Sequence, residues 1–173
     1  QQLQDENEQL RQKLIQLESQ KNQFGSTDQG SAIELPQVQG EDEYLFDYKV
    51  HAYQDGNFRE LRPQRHMFWN DILAVLGPSF SPASPEDYFA RAMNEYLNST
   101  ALQDVREVMP RAHAVARCQI NVRALHAIKM QLKYNGWIAP VSRDDRQRIL
   151  WELTASGERQ LAKAMSRHHQ ANG

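Results

Sequence analysis

The chain contains very little cysteine, since Cys118 is the only one among 173 residues. One cysteine cannot form an internal disulfide, and this composition fits a reducing compartment, so we expect a cytoplasmic protein. No apolar run approaches the roughly 18 residues that a membrane-spanning helix needs. No signal peptide is visible either. The sequence therefore predicts a protein without a disulfide framework and without a membrane-spanning helix.

Motifs for catalysis and metal binding are also scarce. The chain has no glycine-rich phosphate loop and no Cys/His spacing typical of a metal site. His168 and His169 lie in a polar tail, and Asp144 and Asp145 lie in a predicted turn, where aspartate serves turn geometry. Cys118 lies in an apolar stretch that favours a buried thiol. We therefore expect no cofactor, no metal and no enzymatic activity in this chain.

Charge is distributed unevenly along the chain, although the net formal charge is only −2. Residues 1–100 contain 8 Lys and Arg against 16 Asp and Glu, whereas residues 101–173 contain 12 against 6. A basic C-terminal part suits an acidic partner such as nucleic acid. The hydrophobic content of 40% is that of a globular protein, and the length predicts one ordinary domain with appendages.

The first 23 residues follow a heptad pattern that predicts a coiled coil. Leucines recur every seven residues at d, and one asparagine lies at a. This combination favours a parallel homodimer, because two asparagine side chains can pair across the seam. The same register places opposite charges at the e and g positions. The alternative is a single amphipathic helix. The predicted dimerisation residues are Leu3, Asn7, Leu10, Leu14 and Leu17.

A linker and a β-hairpin are predicted next. Residues 24–43 are expected to form a flexible linker, because Gly, Ser and Pro are interspersed among polar residues without a period. Residues 44–62 are predicted to be a hairpin, since apolar and polar residues alternate and Asp55-Gly56 favours a type I′ turn. The alternating aromatics predict a strand that faces the core, with a ligand platform as the alternative.

Residues 63–170 are predicted to form a helical domain that ends in a winged helix, so the fold class is mainly α with a small β content. Helices are expected at 66–76, 84–97 and about 99–109. Ser84 is the expected N-cap of the second helix, with Pro85 at its first position, and Ser99 or Thr100 is the expected cap of the third. A short strand at 114–120 is expected to pair with the wing.

The segment from Asn121 to Met165 has the element order of a winged helix. Apolar residues at helical spacing predict a helix that ends at Gly136. Strands at 137–141 and 148–153 then flank a polar turn, and Thr154 is the expected N-cap of a final helix. The predicted core of this segment is Leu125, Ile128, Leu132, Trp137, Ile149, Trp151 and Leu161.

Two stretches carry a resemblance to known proteins. The phrase LKYNGWI…RILWELTASGERQL resembles the common ending of winged-helix domains, with a basic wing and Leu-Thr-x-x-Gly. Together with MFWNDILAVLGPSF, it is also similar to the C-terminal region of bacterial proteins of unknown function, over roughly residues 60–165. Those proteins carry an N-terminal domain similar to TIR or nucleoside-deoxyribosyltransferase folds. This resemblance, and a start without Met inside a heptad pattern, imply a C-terminal part of a larger bacterial protein. Since that N-terminal domain is absent here, no catalytic residue is transferred.

The face of the predicted 121–135 helix that lies opposite its apolar residues is basic. In DNA-binding winged helices, this helix enters the major groove and the wing contacts phosphate. The sequence therefore predicts a dimeric, non-catalytic module that binds duplex DNA. The alternative is an assembly or regulatory module of a multidomain, defence-related effector that binds no DNA. The predicted nucleic-acid-binding residues are Arg123, His126, Lys129, Lys133, Arg143, Arg146 and Arg148.

Overall fold

The chain forms two compact units, Gln1–Pro36 and Gln37–Gly173. The computed structural model describes the backbone of residues 2–26 and 35–171 and, within these, the side chains of residues 3–16 and 35–167. The structure is an α+β mix, about 51% helical and 28% strand. Helices dominate, as the sequence predicts, but the strand content is larger than a hairpin and a wing would supply.

The first unit contains one long helix, α1 (Gln2–Ser26). The predicted helix is thereby confirmed for residues 2–23, since no Pro or Gly interrupts the run before Gly25. Leu3 is 78% exposed, and Leu10 and Leu14 are also exposed. The side chain of Leu17 lies outside the described residues. An apolar stripe of this kind is stable in water when it packs against a partner.

The second unit contains an antiparallel sheet centred on β1 (Glu43–Gln54). The strands β2 (Asn57–Leu61) and β3 (Gln64–Phe68) pair with successive halves of β1, with Val50 opposite Leu61 and Asp47 opposite Gln64. Asp55 and Gly56 both have positive φ, as a type I′ turn requires, which confirms the predicted hairpin. The even-numbered β1 residues from Phe46 to Ala52 are buried, so the aromatics there face the core as predicted.

The prediction of a helix from His66 to Leu76 is wrong in its first part. The hairpin continues through β3, and only Trp69–Leu76 is helical, as α2. Tertiary contacts outweigh the local apolar spacing here. Arg65 in β3 donates through Nε to the carboxylate of Asp104, 2.9 Å away, and through Nη1 to Thr100. Tyr48 also donates its hydroxyl to Asp104. A helix starting at His66 would lose the pairing with β1.

A single helix, α3 (Glu86–Val108), replaces the two helices predicted between residues 84 and 109. Ser99 and Thr100 do not cap a new helix, because both hydroxyls donate to the carbonyl of Tyr96 within α3. Ser84 does not cap the start either, since its hydroxyl donates to the carbonyl of Pro82. The buried face of α3 continues without a break through Phe89, Met93, Leu97, Ala101 and Val105.

The strand at Ala114–Ile120, β4, pairs with β1 and not with the wing as predicted. The other edge of β4 is covered by α3, because the backbone N–H groups of Cys118 and Ile120 donate to Asn98 and Asn94. Ser84, and not β4, pairs with the wing strand β6. Its backbone exchanges two hydrogen bonds, of 3.0 and 2.9 Å, with Trp151.

The elements that follow β4 agree with the sequence. Asn121 caps α4 (Val122–Tyr134) by accepting from the backbone N–H of Arg123, and Gly136 has a φ of 75° just beyond its end. β5 (Ile138–Arg143) and β6 (Ile149–Leu153) form an antiparallel hairpin. Thr154 precedes α5 (Ala155–Ala171) and accepts from the N–H of Gly157. The side chains of His168 and His169 lie outside the described residues.

The predicted core is largely confirmed, with one error. Leu125, Ile128, Leu132, Trp137 and Trp151 are buried. Leu161 is half-buried against the core. Ile149 is 39% exposed, which contradicts its predicted burial. Ile149 and Trp151 share one side of β6, so strand alternation does not distinguish them. Ile149 is the first residue of β6, next to the hairpin turn, whereas Trp151 lies at the centre of the strand, with its ring 5.6 Å from Lys129 Nζ of α4.

The predicted linker extends into the second unit, where residues 37–42 contact the globular part. The buried side chain of Asn135, at the end of α4, donates to the carbonyl of Val38 and accepts from its N–H. Gly40 is buried, and no larger residue fits there, because a Cβ would lie 2.1 Å from Asn70 Oδ1. Residues 27–34 of the predicted linker lie outside the described residues.

Candidate nucleic-acid interface

The helix α4 presents a basic face that contains no carboxylate. Neither Asp nor Glu occurs anywhere in Val122–Tyr134. One side of α4 is buried, and most of the other positions therefore face solvent. The buried residues are Ala124, Leu125, Ile128, Gln131 and Leu132. We call this surface the α4 face. It consists of the exposed side chains of Val122, Arg123, His126, Met130, Lys133 and Tyr134.

Lys129 belongs to the predicted interface but is held inside the protein. Its Nζ lies 2.8 Å from Glu86 Oε2, and its side chain is only 12% exposed. The same Nζ lies 5.6 Å from the centre of the Trp151 ring. Lys129 therefore connects α4 to the first turn of α3 and to β6, and it is not presented to a partner.

The turn between β5 and β6 is built around Asp144. One carboxylate oxygen accepts from the backbone N–H groups of Arg146 and Arg148, each at 2.9 Å. The other accepts from Arg148 Nε at 2.8 Å. These contacts, led by the backbone N–H of Arg148, hold the pKa of the Asp144 carboxyl below its usual range. The prediction that Asp144 serves turn geometry is thereby confirmed.

Arg148 forms ion pairs with two carboxylates. Besides Asp144, its Nη1 contacts Asp87 Oδ2 at 2.8 Å. Its hydrogen bonds, first of all the one to Asp144, raise the pKa of its guanidinium. Glu86 and Asp87 open α3, so the first turn of α3 binds one cation from α4 and one from the β5–β6 turn. Neither acid was predicted to have a partner, because they lie 43 and 61 residues from those cations.

The other two arginines of the turn are exposed. Arg143 donates through Nη1 to the carbonyl of Gln147, 2.8 Å away, which fixes its direction at the rim of the turn. The side chain of Arg146 makes no hydrogen bond or ion pair within the described part of the chain. Lys133 links helix and hairpin, since its Nζ lies 5.9 Å from the Trp151 ring of β6. Of seven predicted residues, five are thus exposed: Arg123, His126, Lys133, Arg143 and Arg146.

The sequence did not indicate that two further cations lie next to this surface. A cleft of about 330 Å³ at the start of α4 is lined by Lys49, Arg62 and Arg123, together with Asp47. The register that the Asp55-Gly56 turn imposes, with Val50 opposite Leu61, places Lys49 opposite Arg62. This register is the signal from which the pair of Lys49 and Arg62 could have been identified, because a two-residue turn determines which residues face each other.

Other chemistry is scarce among the described residues. Cys118 is buried as predicted, and burial raises the pKa of its thiol to about 11, which leaves it protonated and unreactive at neutral pH. In the described ranges, no group of three His, Cys, Asp or Glu side chains is placed to hold a metal ion. No helix of this part of the chain is long and apolar enough to cross a membrane.

No protein family, curated protein or solved structure matches the chain. Its candidate function therefore depends on the chemistry of the α4 face and the neighbouring turn.

Proposed function

We propose that residues 69–171 form a winged-helix module that binds duplex DNA through the α4 face and the β5–β6 turn. The observation that carries this proposal is the α4 face, where cations are exposed and carboxylates are absent from the whole helix. The order α2, α3, α4, hairpin and α5 supports the fold assignment, as does the bridge from Ser84 to β6. The inserted strand β4 is an addition to that order.

The exposed residues divide into two roles. Arg123, His126 and Lys133 project from the helix that would enter the major groove, where they would contact base edges or the adjoining backbone. Arg143 and Arg146 sit at the hairpin turn, where they would neutralise backbone phosphates. Phosphate contacts dominate affinity and carry no sequence information, so these two roles have separate signatures.

Lys129 and Arg148 act as positioning residues in this proposal. Their ion pairs with Glu86 and Asp87 connect α4, the hairpin turn and the first turn of α3. Three hydrogen bonds to the Asp144 carboxylate stabilise the turn. They therefore fix the positions of Arg143 and Arg146 relative to β5 and β6. Preorganised contacts lose less conformational entropy on binding.

The module is expected to act as a homodimer through a coiled coil formed by α1. Leu3, Leu10 and Leu14 are exposed along this helix, and a second copy would bury them. Two linked modules bind one DNA molecule more tightly than either alone, because the second contact is intramolecular.

Deleting residues 2–26 is expected to convert the dimer into a folded monomer. The reason is that α1 forms the only dimer interface that we propose. Sedimentation equilibrium of the full chain and the deletion variant gives the masses, and circular dichroism checks the fold. The matched control replaces Asn7 by Leu, which should keep the association while relaxing its preference for two chains. A deletion variant with undiminished dimerisation would place the interface in the globular unit.

A second candidate function is favoured by the apolar part of the α4 face. Val122, Met130 and Tyr134 are exposed there among the cations. Protein interfaces combine exposed apolar and aromatic residues with arginine, so the same surface would suit a protein partner in an assembly or regulatory module. This alternative predicts no interaction with duplex DNA at low salt.

Amide chemical shifts test where duplex DNA binds. A short duplex added to the labelled protein is expected to perturb the exposed positions of α4 and residues 143–147. Residues of the sheet far from α4, such as 56–58 at the hairpin tip, serve as internal controls and should not shift. Perturbations confined to those control positions, or none at low salt, would reject the proposed interface.

A further inference from the structure

The cleft at the start of α4 brings together three cations from three segments of the chain. Arg62 lies between β2 and β3, Lys49 lies on β1, and Arg123 lies on α4. Within the described part of the chain, the side chains of Arg62 and Arg123 make no hydrogen bond or ion pair. Folding therefore leaves two arginine guanidinium groups that form no ion pair among the described residues beside one open cleft.

The acidic groups nearby neutralise this cluster only in part. Lys49 contacts Glu60 at 3.5 Å, but both side chains are well exposed, and exposed pairs of this kind are weak. Asp47 is the one carboxylate that lines the cleft, and its Oδ1 already accepts from Asn121 Nδ2 at 3.0 Å. Like charges opposite each other in a sheet are destabilising, and Lys49 lies opposite Arg62. The repulsion between these positive charges raises the free energy of the folded protein, and a bound anion would offset it.

The chemistry of the cluster selects phosphate. Guanidinium groups bind phosphate oxygens in a bidentate fork, and two arginines from different directions can bond separate oxygens of one group. The cleft of about 330 Å³ is far larger than one phosphate group, so it admits a phosphate that belongs to a longer chain. Arg123 also belongs to the α4 face, which makes the cleft continuous with the proposed DNA surface.

We propose that a backbone phosphate of the bound DNA occupies this cleft between Arg62 and Arg123, with Lys49 beside it. The DNA path then extends beyond α4 onto the exposed face of the sheet. This inference rests on the proposed function and adds a second element, the β1–β3 sheet, to the interface. A free phosphate ester has the same chemistry, so the test contains an arm for each source.

The variant R62A measures the contribution of the cleft. Its matched control is R59A, because Arg59 is an exposed arginine of the same hairpin that does not line the cleft. Fluorescence anisotropy with a labelled duplex is expected to show about a tenfold loss for R62A at about 0.1 M salt, and a salt slope smaller by about 0.9. R59A should change both quantities much less. R62K keeps the charge and should recover most of the slope.

Inorganic phosphate provides the second arm. Millimolar phosphate added to the wild-type protein is expected to shift the amide signals of residues 62 and 123, and R62A should abolish the effect at 123. Wild-type binding to duplex with equal affinities for R62A and R59A would overturn the cleft assignment and leave the proposed function intact. Phosphate shifts without any duplex binding would overturn both, because the cleft would then serve a free ester.

Discussion

Replacing Leu132 by Ala is expected to lower the free energy of unfolding by about 2–5 kcal/mol. Leu132 is only 1% exposed and lies on the buried face of α4, in contact with the common core. The loss combines the transfer of the deleted atoms to water with the cavity left behind, because close-packed neighbours relax only in part. Urea denaturation, monitored by tryptophan fluorescence, measures the change.

The control for this prediction comes from the same helix. Val122 is 81% exposed, so Val122→Ala should change stability by less than about 0.5 kcal/mol. Both variants need the same protein concentration as the wild type, since dimerisation would make the midpoint concentration-dependent. A small effect of Leu132→Ala, similar to that of the control, would mean that α4 does not pack on the core as described. The α4 face would then lose its defined orientation.

Removing the four exposed cations of the interface is expected to lower duplex affinity by about two to four powers of ten at about 0.1 M salt. The variant carries R123A, K133A, R143A and R146A. Each lost cation forgoes the release of roughly one counter-ion from the DNA, so the salt slope should fall by about 3–4. Lys129 and Arg148 are retained because their ion pairs hold the surface together.

A charge-matched variant separates local contacts from net charge. R91A, R111A, R159A and K163A also remove four exposed cations, but none of these residues lies on α4 or in the β5–β6 turn. This control should keep most of the wild-type affinity and slope. An equal loss in both variants would show that long-range attraction, and not the α4 face, produces the binding.

Local signals were sufficient for the elements around the candidate site. Asn121, Gly136 and Thr154 determine where helices begin and end within a few residues of themselves, so their roles can be predicted from short windows. The Asp55-Gly56 turn likewise determined the hairpin. Arg123, His126 and Lys133 follow from helical periodicity, because the polar side of an amphipathic helix faces water, whereas Arg143 and Arg146 follow from the polar turn between the two strands.

Contacts between distant segments were not predictable in this way. Phe68 continues the helical spacing of Ile72 and Leu76, yet Gln64–Phe68 is a strand because it pairs with β1 and Arg65 contacts Asp104. Ser99 resembles an N-cap but lies inside α3, since the buried stripe continues past it. The pairing of Lys129 with Glu86 depends on packing that no window of the sequence contains.

The central claim is that the exposed cations of this module bind DNA, and the salt dependence of wild-type affinity tests it most directly. Anisotropy titrations with a labelled duplex would be run between about 50 and 200 mM salt. If each of the five exposed cations Arg62, Arg123, Lys133, Arg143 and Arg146 displaces one counter-ion, the slope per module is near −4.5, with an affinity loss of about 2–3 powers of ten over that range. Absence of binding at about 50 mM salt with micromolar protein, or an affinity that does not change with salt, would contradict the claim.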